Sequence, residues 1–170
     1  ACAGTQDGLS RDNVFAITMD LATGDTAGTD VNISCVTYGV SSDSQPIDAV
    51  LELWQDTDGG APSAPGGADL VLLGGATATI YVGQGTQNMT FDPPICVPAD
   101  SQLVVTLSIP ASTTGDTRAA GNTLPSTSAT YLASTACGIT TFTPTADIGF
   151  PDNNWVVNVE TSLSCDSGSC

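Results

Sequence analysis

Apolar residues in this chain recur with a period of two, the pattern of half-buried strands rather than helices. Phe15, Ile17, Met19 and Leu21 form one apolar face of a first strand, and Val31, Ile33 and Cys35 face inward in a second. Ile47 to Gln55 is a third, with Leu51 and Leu53 on one side and Val50, Glu52 and Trp54 on the other. Leu70 to Leu73 is short and fully apolar, as suits a buried strand. Ala76 to Val82 and Thr86 to Phe91 read as a hairpin closed by Gly83-Gln84-Gly85. Gln102 to Ile109 is the strongest strand, Ala129 to Ala133 a weak one, and Trp155, Val157, Val159 and Leu163 mark the last.

Turn signals separate these runs: Gly24-Asp25, Asp58-Gly59-Gly60, Pro65-Gly66-Gly67, Pro93-Pro94, Gly115-Asp116 and Gly121-Asn122. No stretch carries a helical stripe with caps. Eight or nine antiparallel strands in 170 residues predict an all-β chain, an antiparallel β-sandwich of jelly-roll-like form, with a closed barrel as the alternative. No internal repeat or dividing linker is visible, so residues 1–170 read as one domain.

Charge narrows the function. The 16 Asp and 2 Glu face only Arg11 and Arg118, with no Lys or His, for a net charge of -16. Two arginines cannot form the basic footprint that nucleic acid or anionic lipid requires. Without His and Lys there is no Ser-His-Asp triad, Cys-His dyad, Schiff base, P-loop lysine or histidine-ligated metal. The reading is therefore of a protein that is not an enzyme and requires no cofactor. The longest apolar stretch, around Leu103 to Ile109, is far short of a membrane span, so no membrane insertion is expected.

Cys2, Cys35, Cys96, Cys137, Cys165 and Cys170 include no C-x2-C pair. An even count in a hydroxyl-rich chain points to disulfides and an oxidising compartment. Spacing does not choose among the 15 pairings six cysteines allow. Only Cys165 and Cys170 are local, and the Asp-Ser-Gly-Ser between them can turn. The chain starts at Ala1 with no charged leader or apolar signal core, as expected of a mature exported protein, extracellular or on the cell surface. Cys2 stands one residue too late for a lipoprotein cleaved at this point.

Asp56-Thr57-Asp58-Gly59-Gly60 is the sharpest local motif. Alternate aspartates followed by glycine aim two carboxylates at one point while the chain turns, as calcium loops require. Gly60 and Gly67 stand where an EF-hand needs further ligands, and Asp69 completes a looser candidate site. An acidic solvated turn is the plain alternative. Asp166-Ser167-Gly168 matches an aspartic-protease triplet but has no second copy. Glu52 and Glu160, the only glutamates, are candidates for a glycosidase pair, and outward polar strand positions explain both. Asn32-Ile33-Ser34 and Asn88-Met89-Thr90 are sequons for a covalent glycan, with Asn32 expected to point outward. Among the few aromatics, Trp54 and Trp155 lie in strand patterns that favour packing, while Tyr38, Tyr81 and Tyr131 are candidate rim residues for a carbohydrate.

Several segments resemble secreted β-sandwich modules of bacterial surface and extracellular proteins, notably of planctomycete-like bacteria. They are Leu53 to Pro62, Asp69 to Gly74, Tyr131-Leu132-Ala133 with Ala136-Cys137-Gly138, and Ile148-Gly149-Phe150-Pro151, roughly half the chain. The resemblance implies the fold and export, and no catalytic residue. In architecture the chain also resembles filament subunits that assemble by strand donation. That likeness implies a structural subunit joined head-to-tail to copies of itself. Residues 1–21 would be leader and donor strand, with Phe15, Ile17, Met19 and Leu21 as the assembly face. The Trp155 to Leu163 strand is the competing donor. The alternatives are a secreted calcium- or carbohydrate-binding adhesion module and, more remotely, a hydrolase.

Overall fold

The computed structural model describes residues 9–22, 26–42, 46–81, 83 and 85–163. These form twelve strands: β1 (Asn13–Asp20), β2 (Val31–Ser42), β3 (Ile47–Asp56), β4 (Leu70–Ile80), β5 (Thr86–Val97), β6 (Gln102–Ile109), β7 (Thr117–Ala119), β8 (Gly121–Asn122), β9 (Thr130–Ser134), β10 (Ile139–Pro144), β11 (Asn154–Trp155) and β12 (Val157–Leu163). The first sheet has six strands in the order β10-β9-β1-β6-β3-β4, all antiparallel. The second runs β12-β2-β5, with β7 on the C-terminal end of β2. β8 and β11 pair as a short ribbon. The all-β antiparallel sandwich is the architecture that the alternation predicts. The strands beyond eight or nine are β7, β8 and β11, too brief for a period to register, and β10, whose pairing is irregular.

Between the sheets the alternating faces interlock. Ile17, Leu51, Leu53, Leu103 and Val105 from the first meet Val31, Ile33, Val36, Tyr38 and Met89 from the second. Phe15 meets the Trp155 ring edge-on at 5.0 Å. Where β2 passes the segment before β12, Gly39 is required, because a Cβ there would stand 2.8 Å from Val156 Cβ. The first sheet is apolar on its outer face too. Ala16, Leu70, Val104, Tyr131, Ala133 and Phe142 form a second cluster, flanked by Val14 and Trp54.

Four local expectations change. Leu70 to Leu73 and Ala76 onward are one strand, β4, and it lies at the sheet edge, with Val71 and Leu72 exposed. β4 and β5 are not a hairpin. β4 pairs with β3 and β5 with β2, so the connection crosses between sheets. The register of β2 against β5 shifts between Ile33 and Cys35, and this bulge reverses the parity of the strand. Val36, Tyr38 and Val40 therefore join the cluster between the sheets, and Cys35, though buried, is not part of it. Tyr38 and Tyr131 are buried rather than at a rim.

Two substitutions probe this core. Leu51→Ala, at a fully buried position, should cost about 2–5 kcal/mol in denaturant unfolding. The Tyr38 hydroxyl is buried without a hydrogen-bond partner, and burial pushes its pKa up to about 12. Removing an unsatisfied polar atom relieves a desolvation cost, so Tyr38→Phe should leave the melting temperature unchanged or raise it. A clear fall in melting temperature would contradict the unpartnered hydroxyl.

Candidate functional site

β3 ends at Asp56, opposite Leu70 of β4 and Gln102 of β6. The chain leaves the sheet there and returns at Asp69. The Thr57 amide and hydroxyl both donate to the Asp69 carbonyl, at 2.9 and 3.0 Å, closing the base of the loop. Asp56 Oδ1 accepts the amides of Asp58 and Gly59, both at 3.1 Å. Asp58 Oδ1 accepts the Gly60 amide at 3.0 Å. Gly59 takes a positive φ of 69°, which its missing Cβ makes cheap. The Ser63 amide donates to Asp69 Oδ2 at 2.8 Å, and its hydroxyl to Oδ1. With its amide oriented to suit its neighbours, Gln102 donates to Asp56 Oδ2 at 2.7 Å and to the Gly60 carbonyl at 2.8 Å.

The three aspartates thus converge, each offering a carboxylate oxygen within 4.8 Å of the others. Asp56 is only 4% exposed. Burial pushes its pKa up; the Asp58 and Gly59 amides pull it back, and the Asp58 carboxylate adds to the rise. Asp69 is held below the usual carboxylate range, chiefly by the Ser63 hydroxyl. Oxygen donors of this charge and spacing fit a hard cation such as calcium, which takes oxygen ligands at about 2.3–2.6 Å. The same oxygens also accept backbone and side-chain donors, so the network closes the loop whether or not a cation is bound.

The closed loop serves the outer face of the first sheet. The Phe142 amide of β10 donates to the Ser63 carbonyl at 3.1 Å, joining the loop to the opposite edge strand. Pro62 is buried. Ala64 and Pro65 share a cleft with Val14, Ala133 and Ile139. Sequence spacing identifies Asp56, Asp58 and Asp69, but it misses Ser63 and Gln102. Ser63 carries only the weak signal of a hydroxyl in a Pro- and Gly-rich loop, and the strand register alone brings Gln102 to Asp56.

Other candidates scatter. Glu52 lies on β3 and Glu160 on β12, in different sheets. Burial raises the Glu52 pKa. Asn32, expected to point outward, is 3% exposed between Cys96 of β5 and Ser162 of β12, which removes it as a glycan acceptor. Asn88 is exposed and accepts the Thr37 hydroxyl at 2.8 Å. Trp54 Nε1 donates to Thr106 Oγ1, and Trp155 Nε1 to the Tyr131 carbonyl, both at 3.1 Å. Of the three tyrosines, Tyr81 is exposed.

Within the assembly face, Phe15, Ile17 and Leu21 are buried and Met19 packs on the core, on a strand held between β6 and β9. Cys35 is a free, buried thiol, which corrects the expectation that all six cysteines form disulfides. It sits in mid-strand opposite Glu160 and Thr90, and burial and the Glu160 charge raise its pKa. Cys96 and Cys137 are disulfide-bonded. Residues 1–8, Cys165, Cys170 and Asp166-Ser167-Gly168 lie outside the described residues. Among the described residues no helix is long and apolar enough to cross a membrane. No known protein family, curated protein or solved structure matches this chain.

The loop predicts a pH signature. Asp56 has a raised folded pKa, so its contribution favours folding below the ordinary carboxylate range and is lost as pH rises through the raised value. Asp56→Asn keeps an oxygen for the two amides and removes the buried charge. Without calcium, its melting temperature at neutral pH should equal or exceed that of the unsubstituted chain. The difference should vanish below about pH 4, where the carboxyl is protonated in both states. A variant markedly less stable at neutral pH would mean that the charge itself holds the loop.

Proposed function

We propose that the chain is a structural subunit of an extracellular filament or surface fibre, assembled head-to-tail by exchange of its first strand. The observation that carries this reading is the position of β1. It is the first described strand, yet it fills an interior slot, paired along its whole length with β6 and over four residues with β9. Its Phe15 and Ile17 complete the core between the sheets. A strand in an interior slot is an element a neighbour could supply, because the same main-chain bonds and side-chain pockets form in cis or in trans. Heterologous exchange that does not close on itself extends into a filament. Disulfide-bonded Cys96 and Cys137 support an oxidising compartment, as do the segments that resemble secreted bacterial modules.

Deleting residues 1–21 should leave an unstable or soluble single subunit that forms no fibres by electron microscopy. A synthetic peptide of residues 9–22 should restore its stability. Filaments from the truncated chain, or an intact chain that stays monomeric at high concentration, would sink the proposal.

The convergence of Asp56, Asp58 and Asp69 within 4.8 Å favours the calcium arm of a second reading, a secreted calcium- or carbohydrate-binding adhesion module. Calcium would bridge the loop base, and Asn88 would be the site of a covalent glycan. On this reading calcium raises the melting temperature of the unsubstituted chain, and Asp58→Asn abolishes the rise. Equal melting in calcium and in chelator removes the metal.

A further inference from the structure

Three of the six cysteines lie among the described residues, and their state fixes how the other three must be used. Cys35 is a free thiol, and Cys96 and Cys137 are each disulfide-bonded. A disulfide holds its two Cα atoms within about 7 Å of each other. Cys96 and Cys137 do not meet that condition, because they lie at opposite ends of the sandwich.

The strand register places them. Cys137 ends the short turn after β9. β9 runs out beside the start of β1, where Val14 pairs with Ala133 and Asn13 with Ile109 of β6. Cys96 is near the end of β5, opposite Asn32 of β2. From there the chain passes to Gln102, which pairs with Asp20 at the other end of β1. The eight residues of β1 set these ends about 24 Å apart, at roughly 3.4 Å per residue. The two cysteines are separated sideways as well. A Cβ on Gly74 would stand 2.6 Å from Ile95 Cδ1, so the residue before Cys96 lies on β4, while Cys137 belongs to the β9–β10 edge on the far side of that sheet.

Each therefore takes its partner from Cys2, Cys165 and Cys170. A local Cys165–Cys170 bridge is excluded, since it would leave Cys2 to serve two partners. Chain length then chooses. β12 ends with Leu163 opposite Val31, and Val31 is opposite Val97 on its other side, so Leu163 stands two strand spacings, about 10 Å, from Val97. Cys165 is two residues beyond Leu163, and Cys96 directly precedes Val97. Two residues span at most about 7 Å, enough to meet Cys96 across the end of β2 and far short of Cys137. At the other end of the sandwich Ser10 is anchored. Its amide donates to the Gly115 carbonyl at 3.0 Å and its hydroxyl to the Thr117 carbonyl at 3.1 Å. Cys2 is eight residues before it, a reach of about 27 Å. That reach covers the turn at Cys137, whereas Cys96 lies a whole sandwich length away.

We propose that Cys137 bonds to Cys2 and Cys96 to Cys165, so that each bridge fastens one terminal strand of the sandwich. The first ties the chain ahead of β1 to the turn after β9, and the second ties the chain after β12 across β2 to β5. Cys35 and Cys170 remain thiols. Each bridge forms as two thiols give up two electrons and two protons to a disulfide oxidant such as oxidised glutathione, which leaves as two thiols.

The test is a disulfide map of the full, unreduced chain by mass spectrometry. Thiols open in the native protein take one alkylating label, and those opened by unfolding take a second of different mass. Cleavage on the amino side of aspartate then puts every cysteine on its own fragment: 1–6, 30–42, 92–99, 116–146, 152–165 and 166–170. Fragment 1–6 should be joined to 116–146, and 92–99 to 152–165. Fragment 166–170 should carry the first label, and 30–42, with its buried Cys35, the second. Cys137→Ser should release Cys2 to the first label and leave 92–99 joined to 152–165. A bond from 92–99 to 116–146, to 1–6 or to 166–170 overturns the proposal, and so does one between 152–165 and 166–170. Cys2 travels with β1, so the map is the same whether β1 lies in its own chain or, on the filament reading, in a neighbour's. Only the neighbour's arrangement gives a ladder on an unreduced denaturing gel, so the two ideas fail separately.

Discussion

A sheet that is apolar on both faces must be covered twice, and most of this architecture follows from that requirement. Along β6, Leu103, Val105, Leu107 and Ile109 face the second sheet, while Val104 and Thr106 on the other face are as deeply buried. β1 repeats the pattern, with Ala16 buried between Phe15 and Ile17. The second sheet covers one face. Among the described residues the other is closed by the loop after β3 together with β10, which meet where the Phe142 amide reaches the Ser63 carbonyl. Burial of apolar area at about 25 cal/mol per Å² drives both closures.

That second closure explains why acidic groups stand at the end of β3. A loop rich in Gly and Pro has little apolar surface with which to hold itself down. Its carboxylates supply acceptors for its own amides instead, with Asp56 and Asp58 tying Asp58, Gly59 and Gly60, and Asp69 tying Ser63. Gln102 reaches in from β6 and fastens the network to a central strand. Holding Asp56 away from water works against its charge, whereas the more open Asp69 gains from its hydroxyl partner. Two carboxylates thirteen residues apart thus titrate in opposite directions for local reasons.

The charge balance bears on assembly as directly as on the loop. With 18 acidic residues and two arginines, the molecule opposes contact with copies of itself except where carboxylates are absent. Arg118 is engaged with Asp116. Proline and aspartate on β5 and glutamate on β12 discourage edge pairing, as natural sheets require. The interior place of the first described strand stands beside that pattern.

The sequence by itself determined the all-β class, the principal strands and the convergent aspartates, because strand periodicity and turn chemistry are local properties. Leu51 and Leu53 point inward and Glu52 outward by alternation alone, and Asp56-Thr57-Asp58-Gly59-Gly60 turns whatever surrounds it. Tertiary structure decided which strands are neighbours. The Leu70 to Ile80 run became an edge strand because β3 pairs with it while β5 goes to the other sheet. It also decided where parity breaks. A single bulge after Ile33 turned Cys35 away from the cluster between the sheets and brought Tyr38 into it, and the burial of Asn32 depends on strands on both sides of it. Gln102 and Ser63 joined the acidic loop for the same reason. A hydrogen bond between residues far apart in sequence depends on register, which long-range packing sets and no local pattern encodes.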